Sequence, residues 1–114
     1  MVARRVPIVL GGNSDAALRR AAQWGDGWYG FNVGGLDEVR DRIATLHRLC
    51  GEAGRDPAAL SVAVALTAPD PRERAELAAL GVTQVVVVES PPGEAEDAAA
   101  WIADLAGRWI ESMP

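Results

Sequence analysis

Short apolar runs alternate with stretches of helical periodicity along the whole chain. Val6 to Leu10 is a β-branched run stopped by Gly11-Gly12, which predicts a strand. Asn13 or Ser14 then suits an N-cap, and a helix follows to about Trp24 with Ala17, Leu18, Ala21 and Ala22 on one side. Trp28 to Phe31 is a second strand after Asp26-Gly27. Beyond Gly34-Gly35, the residues Leu36, Val39, Ile43, Leu46 and Cys50 recur at 3-4-3-4 spacing, the stripe of a core-facing helix that Gly54 ends. Ser61 to Leu66 predicts a third strand. A helix from about Arg72 to Leu80 follows it, stopped by Gly81. Val85 to Val88 is a fourth strand, closed by Pro91-Pro92-Gly93, and four consecutive valines predict burial on both faces. The last helix carries Ala98, Trp101, Ile102, Leu105 and Trp109.

The order is β-α four times, with no linker or domain boundary, so residues 1–114 read as one α/β domain with parallel strands and right-handed crossovers. Two architectures fit. A (β/α)8 barrel of about 250 residues allots about 31 to each unit, so four units in 114 residues make half a barrel. The alternative is a small open doubly wound sheet with helices on both faces.

Composition removes several functions. The net charge is −5 and the arginines form no basic stripe, which argues against nucleic-acid binding. All eleven basic residues are arginine, so Walker A, Schiff-base and kinase-type lysines are excluded. One cysteine and one histidine make neither an internal disulfide nor the usual zinc site. No apolar run approaches the roughly 20 residues of a membrane span. Residues 1–10 do not read as a secretory signal, so a cytoplasmic protein is expected.

Five segments in order resemble the luciferase-like monooxygenase family. They are P-I-V-L-G-G-N-S at 7–14, A-A-L-R-R-A-A at 16–22, G-D-G-W-Y at 25–29, E-A-G-R-D-P at 52–57 with the strand S-V-A-V-A-L after it, and E-L-A-A-L-G-V-T-Q-V-V-V at 76–87. The resemblance implies a TIM-type barrel holding FMN or coenzyme F-420. It places this chain on the fifth to eighth βα units, the C-terminal half. The N-terminal half of the family supplies most residues proposed for chemistry, so no catalytic residue is carried over.

What carries over is the phosphate side of the cofactor site. A helix N-terminus exposes unpaired amides and a partial positive charge, and preceding glycines let an anion approach. Gly11, Gly12, Asn13 and Ser14 are the candidate phosphate ligands, with the Asn13 amide and Ser14 hydroxyl as added donors. The structural alternative is a tight turn followed by a cap, and Asp15 in the first turn would compete with a phosphate. Trp28 and Tyr29 are candidates for lining an apolar cofactor or substrate pocket, or else core and rim aromatics. Arg19 and Arg20 read as solvated, His47 as surface and Cys50 as a small buried hydrophobe. Asp26 and Glu89 fall at opposite ends of different strands and make no carboxylate pair.

A half-barrel has two apolar strand edges and one bare sheet face. A homodimer or a complementary half-barrel chain is the expected partner. The functional alternatives are a luciferase-like oxidoreductase part, inactive alone, and a non-catalytic ligand-binding or oligomerising module.

Overall fold

Four strands lie side by side in the order in which the chain makes them. The computed structural model describes residues 6–89 and 92–111; Pro91, read above as part of a turn, lies outside them, as do Arg4 and Arg5. The elements are β1 (Val9–Gly11), α1 (Asp15–Trp24), β2 (Gly27–Val33), α2 (Leu36–Glu52), β3 (Ser61–Leu66), α3 (Arg74–Leu80), β4 (Gln84–Val85) and α4 (Ala98–Ala106). All three strand pairings are parallel and the sheet order is β1-β2-β3-β4. A doubly wound sheet needs a reversal of strand order, and this sheet has none. Sequential order with crossovers of one hand keeps the helices on one face, the arrangement of half a (β/α)8 barrel.

Burial follows the strand period of two. On the helix side, Trp28, Val62, Val64 and Leu66 are buried against Leu18 of α1, Ile43 and Leu46 of α2, and Leu77 of α3. Ala17, Ala21 and Ala22 let α1 sit close to its neighbours. Arg55 reaches back from the turn after α2 and donates to the Ala21 and Ala22 carbonyls at 3.3 and 3.1 Å; the Ala22 carbonyl is one that the end of the helix leaves open, while that of Ala21 also accepts from the Gly25 amide. The other face of the sheet carries Gly11, Tyr29, Ala63 and Gln84 in one register row across all four strands.

Two strands are shorter than their apolar runs. Pro7 has no amide to donate to a ladder, and the Ile8 amide goes instead to the Asp26 carboxylate at 2.8 Å, so β1 starts at Val9. At the other edge only Gln84 and Val85 pair fully with β3, and the Val86 amide adds one bond to the Val64 carbonyl. Burial of the valine run on both faces is not observed. Val85, Val86 and Val87 are half-buried and Val88 is exposed, because among the described residues no strand lies beyond β4 and no helix covers its second face. In the last unit, α4 contributes no fully buried residue.

β2 runs two residues past its predicted end. Its register on β3 slips between Phe31 and Val33, which leaves Asn32 as a bulge residue at φ 63°. The slip reverses the alternation, so Phe31 stays on the bare face while Val33 turns into the core.

Candidate functional site

The carboxyl ends of the strands gather on one edge, where a barrel of this type presents its ligand-binding loops. The β1–α1 turn is tied to β2 and α2 by hydrogen bonds. Gly12 has φ +111°, and a Cβ there would stand 2.8 Å from the Ala17 Cβ, so only glycine fits without strain. Its carbonyl accepts the Trp28 indole N–H at 2.7 Å. Ser14 is the N-cap of α1: its Oγ accepts from the Ala17 amide at 3.1 Å. The hydroxyl proton of Ser14 is left to donate elsewhere. The amides of Asp15 and Ala16 have no acceptor among the described residues.

Asn13 serves the chain itself. Its Nδ2 donates to the Phe31 carbonyl at 2.8 Å and so ties this turn to the end of β2. Its Oδ1 is buried with no donor among the described residues. Arg42, from α2, braces the turn from behind. One guanidinium nitrogen donates to the Asn13 carbonyl at 3.1 Å and to the Asp15 carboxylate at 2.7 Å, while the other holds Asp41. These bonds and the Arg42 charge hold the Asp15 carboxyl below the usual carboxylate range. The first-turn acid that would repel an anion is thus paired.

Trp28 and Tyr29 do not share a pocket, because successive strand residues point to opposite faces. Trp28 is fully buried on the helix side, lying over Gly30, where a Cβ would stand 2.6 Å from the indole ring. Tyr29 is on the bare face with Phe31, their ring centroids 6.2 Å apart and the planes tilted by 50°. A shallow hollow of about 380 Å³ lies over this face, lined by Val9, Gly11, Tyr29, Ser61, Ala63, Gln84 and Val86. It contains no charged side chain. Nearer the strand ends is a smaller cavity of about 170 Å³, lined by Phe31, Asn32, Ala65, Leu66, Thr67 and Val88.

The remaining candidates fall away from this edge. Arg19, Arg20 and His47 are exposed on helices. Cys50 is buried among apolar side chains, and desolvation pushes its thiol up, so it is no nucleophile. Asp26 lies at the amino end of β2 and Glu89 beyond β4, where it pairs with Arg108 at 3.2 Å. Among the described residues no group of three or more His, Cys, Asp or Glu side chains is placed to hold a metal ion. None of the described helices is long and apolar enough to cross a membrane.

Two contributors escaped sequence reasoning. Arg42 acts on a residue 27 positions away, and nothing local announces that. Asn32 did carry a signal, since an asparagine inside a β-branched and aromatic run favours a left-handed break over a regular strand.

Comparison with known proteins supplies the lineage. The uncharacterized proteins Rv0940c of Mycobacterium tuberculosis (strain H37Rv) and Mb0965c of Mycobacterium bovis are each 50% identical to this chain over 50 residues. That stretch is 44% of this chain and 17% of each relative, so the chain is less than half as long as either. The family model for luciferase-like monooxygenases matches residues 1–108, nearly the full length. A match of that extent, over four parallel βα units, shows that this chain belongs to the luciferase-like monooxygenase family.

Proposed function

We propose that this chain is the C-terminal half of a luciferase-like, flavin- or F-420-dependent oxidoreductase, and that it supplies the phosphate side of the cofactor site. The β1–α1 turn carries the reading. It offers the Asp15 and Ala16 amides, the Ser14 hydroxyl and the positive end of α1, beside two exposed glycines. The paired state of Asp15 removes the main electrostatic objection. These residues fit a phosphate. FMN or F-420, when bound, supplies the redox chemistry, and the protein's part is to bind and orient it. In this reading the chain anchors the cofactor tail, while the groups that meet the substrate come from the other half of the barrel. Alone it is not catalytic.

Titration with FMN and with F-420 tests this, using Ala16→Glu as the diagnostic variant. Ala16 is exposed in the first turn of α1. A glutamate there suits the helix dipole and leaves stability unchanged or slightly raised, but its charge opposes a phosphate. Expected is saturable binding by the natural chain and a loss of tenfold or more in the variant, the scale of a charge-assisted contact. Equal binding by both, or none by either cofactor in a defined oligomer, rejects the reading.

The bare sheet face favours a second, compatible role in assembly. Val9, Phe31 and Val88 are large, apolar and exposed there, and β1 and β4 are open edges. We infer that the chain works within an oligomer, as a homodimer or with a complementary half-barrel chain. Light scattering at micromolar concentration is expected to give a mass above one chain. A folded monomer across dilution excludes the homodimer.

A further inference from the structure

The two ends of the sheet are unfinished in complementary ways. A right-handed crossover lays each helix over its own strand and the next one. α4 follows β4, and among the described residues no strand lies beyond β4 for it to cover. Its surface is apolar and open: Ile102 is exposed, and Ile110, in the helical stretch Gly107–Glu111 that continues α4, is 67% exposed. An open cavity of about 500 Å³ separates that stretch from α3 and β4, with Leu77, Val82, Val85, Val87, Trp109 and Ile110 on its walls. The Trp109 indole N–H is buried with no acceptor among the described residues. The last helix is therefore seated on one side only.

β1 has the reverse deficit. Val9 and Gly11 line the bare face, so alternation puts Ile8 on the helix side, where it is nevertheless exposed. Hydrogen bonds in both directions join Ile8 to Asp26 and set it beside the α1–β2 turn. Trp24, 71% exposed, enters that turn. Asp15 meets α2 through Arg42, and nine residues at about 100° each turn Trp24 to the opposite flank of α1, towards the open edge of β1. Arg20 shares that flank and has no ion-pair partner among the described residues, while Glu94, Glu96 and Asp97 make the approach to α4 acidic.

We propose that the partner of this chain is a second copy, related by a two-fold axis along the strands, with β4 of each copy paired in parallel to β1 of the other and α4 of each covering Ile8 and Trp24 of the other. This rests on the assembly reading given above, selects the homodimer and fixes its geometry. Both deficits belong to the same chain, so two copies supply each other at two equal contacts, and the ring closes. A two-fold axis along the strands keeps every strand parallel, and two sets of four make the eight of a (β/α)8 barrel. The inner row runs small, large, small, large across Gly11, Tyr29, Ala63 and Gln84. That alternation by strand continues unbroken across both seams, in keeping with barrel layers drawn from alternate strands.

Light scattering of the full chain is expected to give the mass of two chains and no larger species. An open polymer, or a monomer at every concentration, overturns the closed pair. Trp24→Lys puts a cation near the end of α1, which suits the helix dipole, so the fold is kept, checked by urea denaturation of dilute protein. It is expected to raise the dimer dissociation constant about hundredfold, because each dimer holds the contact twice. Arg20→Glu is expected to raise it about fivefold, the scale of exposed charges met twice. A short bismaleimide reads the geometry without relying on either variant. Trp24→Cys and Ile110→Cys are mixed and left to exchange subunits, with the natural chain as control for the buried Cys50. Expected is linkage between the two variants and none between like chains, since like positions lie on opposite sides of a closed barrel. A dimer that links Trp24→Cys to itself, or that Trp24→Lys leaves intact, overturns this closure and leaves an oligomer of another kind. A monomer that pairs only with a separate half-barrel chain removes the second copy and leaves the complementary-half reading.

Discussion

Trp28 and Tyr29 are neighbours on β2 and occupy different environments. Trp28 is sealed between sheet and helices and bonded to the Gly12 carbonyl. Tyr29 looks onto a hollow with no helix of the described residues lining it. The same division runs through the whole sheet, because sequential parallel order with one handedness of crossover covers one face and leaves the other. A closed barrel fills its inner face with its own side chains. Here that face holds Val9, Gly11, Ala63 and Val86 with Tyr29 and Gln84, a barrel lining without its opposite wall. The covered face supplies the stability of the chain, and the bare face is the one on which the proposed partner would close.

Truncating each neighbour measures the contrast. Trp28→Ala removes a fully buried indole and its hydrogen bond, and is expected to cost about 3–5 kcal/mol, a large share of the roughly 5–15 kcal/mol of an ordinary domain. Tyr29→Ala is expected to cost about 1 kcal/mol or less in an isolated chain. Urea midpoints at low protein concentration give both values. If Tyr29→Ala proves as costly as Trp28→Ala and its cost grows with protein concentration, the bare face is covered in solution by another chain.

The order of the elements was legible because each signal was local. Glycines and prolines punctuate the chain, and the 3-4-3-4 stripe of α2 and the alanine face of α1 name their buried residues directly. The valine run misled for a physical reason. An unalternated run reports what a strand would tolerate, not what surrounds it, and β4 is an edge strand in this chain. The site was legible in part. The diglycine turn and its cap are local, but the brace from Arg42 and the tie from Asn13 to Phe31 join segments 29 and 18 residues apart. The bulge at Asn32 depends on register against β3, which no single strand encodes.

Within the diglycine turn a second and smaller contrast is expected. Gly12 lies in the left-handed region against Ala17, so Gly12→Ala should cost about 1–3 kcal/mol. At Gly11 a Cβ would meet only the Tyr29 carbonyl at 3.7 Å, and Gly11→Ala should stay within about 0.5 kcal/mol. Ser14→Ala falls between them at about 1 kcal/mol, the usual worth of an N-cap. Thermal or urea unfolding of the three variants orders them. A reversed order of the two glycines would mean that the turn takes another conformation, and the placement of the Asp15 and Ala16 amides would go with it.

The smallest expected effect separates the structural from the binding role of the turn. Hydrogen bonding to Arg42 lowers the Asp15 carboxyl below its unfolded value, near 3.9. The direction fixes the sign: the Asp15–Arg42 pair contributes stability above that unfolded value, and the contribution is lost as pH falls through the lower folded value. Asp15 is largely exposed, so solvent screens the pair and its contribution is small. Asp15→Asn should therefore lower stability slightly at pH 7 and progressively less as pH falls through the lowered folded value, which flattens the acid limb of a stability–pH curve. Asp70, held low by Arg72 in the same way, keeps part of that limb in place and serves as the internal control. Phosphate affinity should move in the opposite direction. Losing the Asp15 carboxylate removes a negative charge from the first turn of α1 and frees the Arg42 guanidinium, so FMN should bind more tightly to Asp15→Asn at pH 7 although the variant is less stable. A variant that loses stability and affinity together would show that Asp15 only holds the turn in shape, and that the anion, if any binds, is held elsewhere.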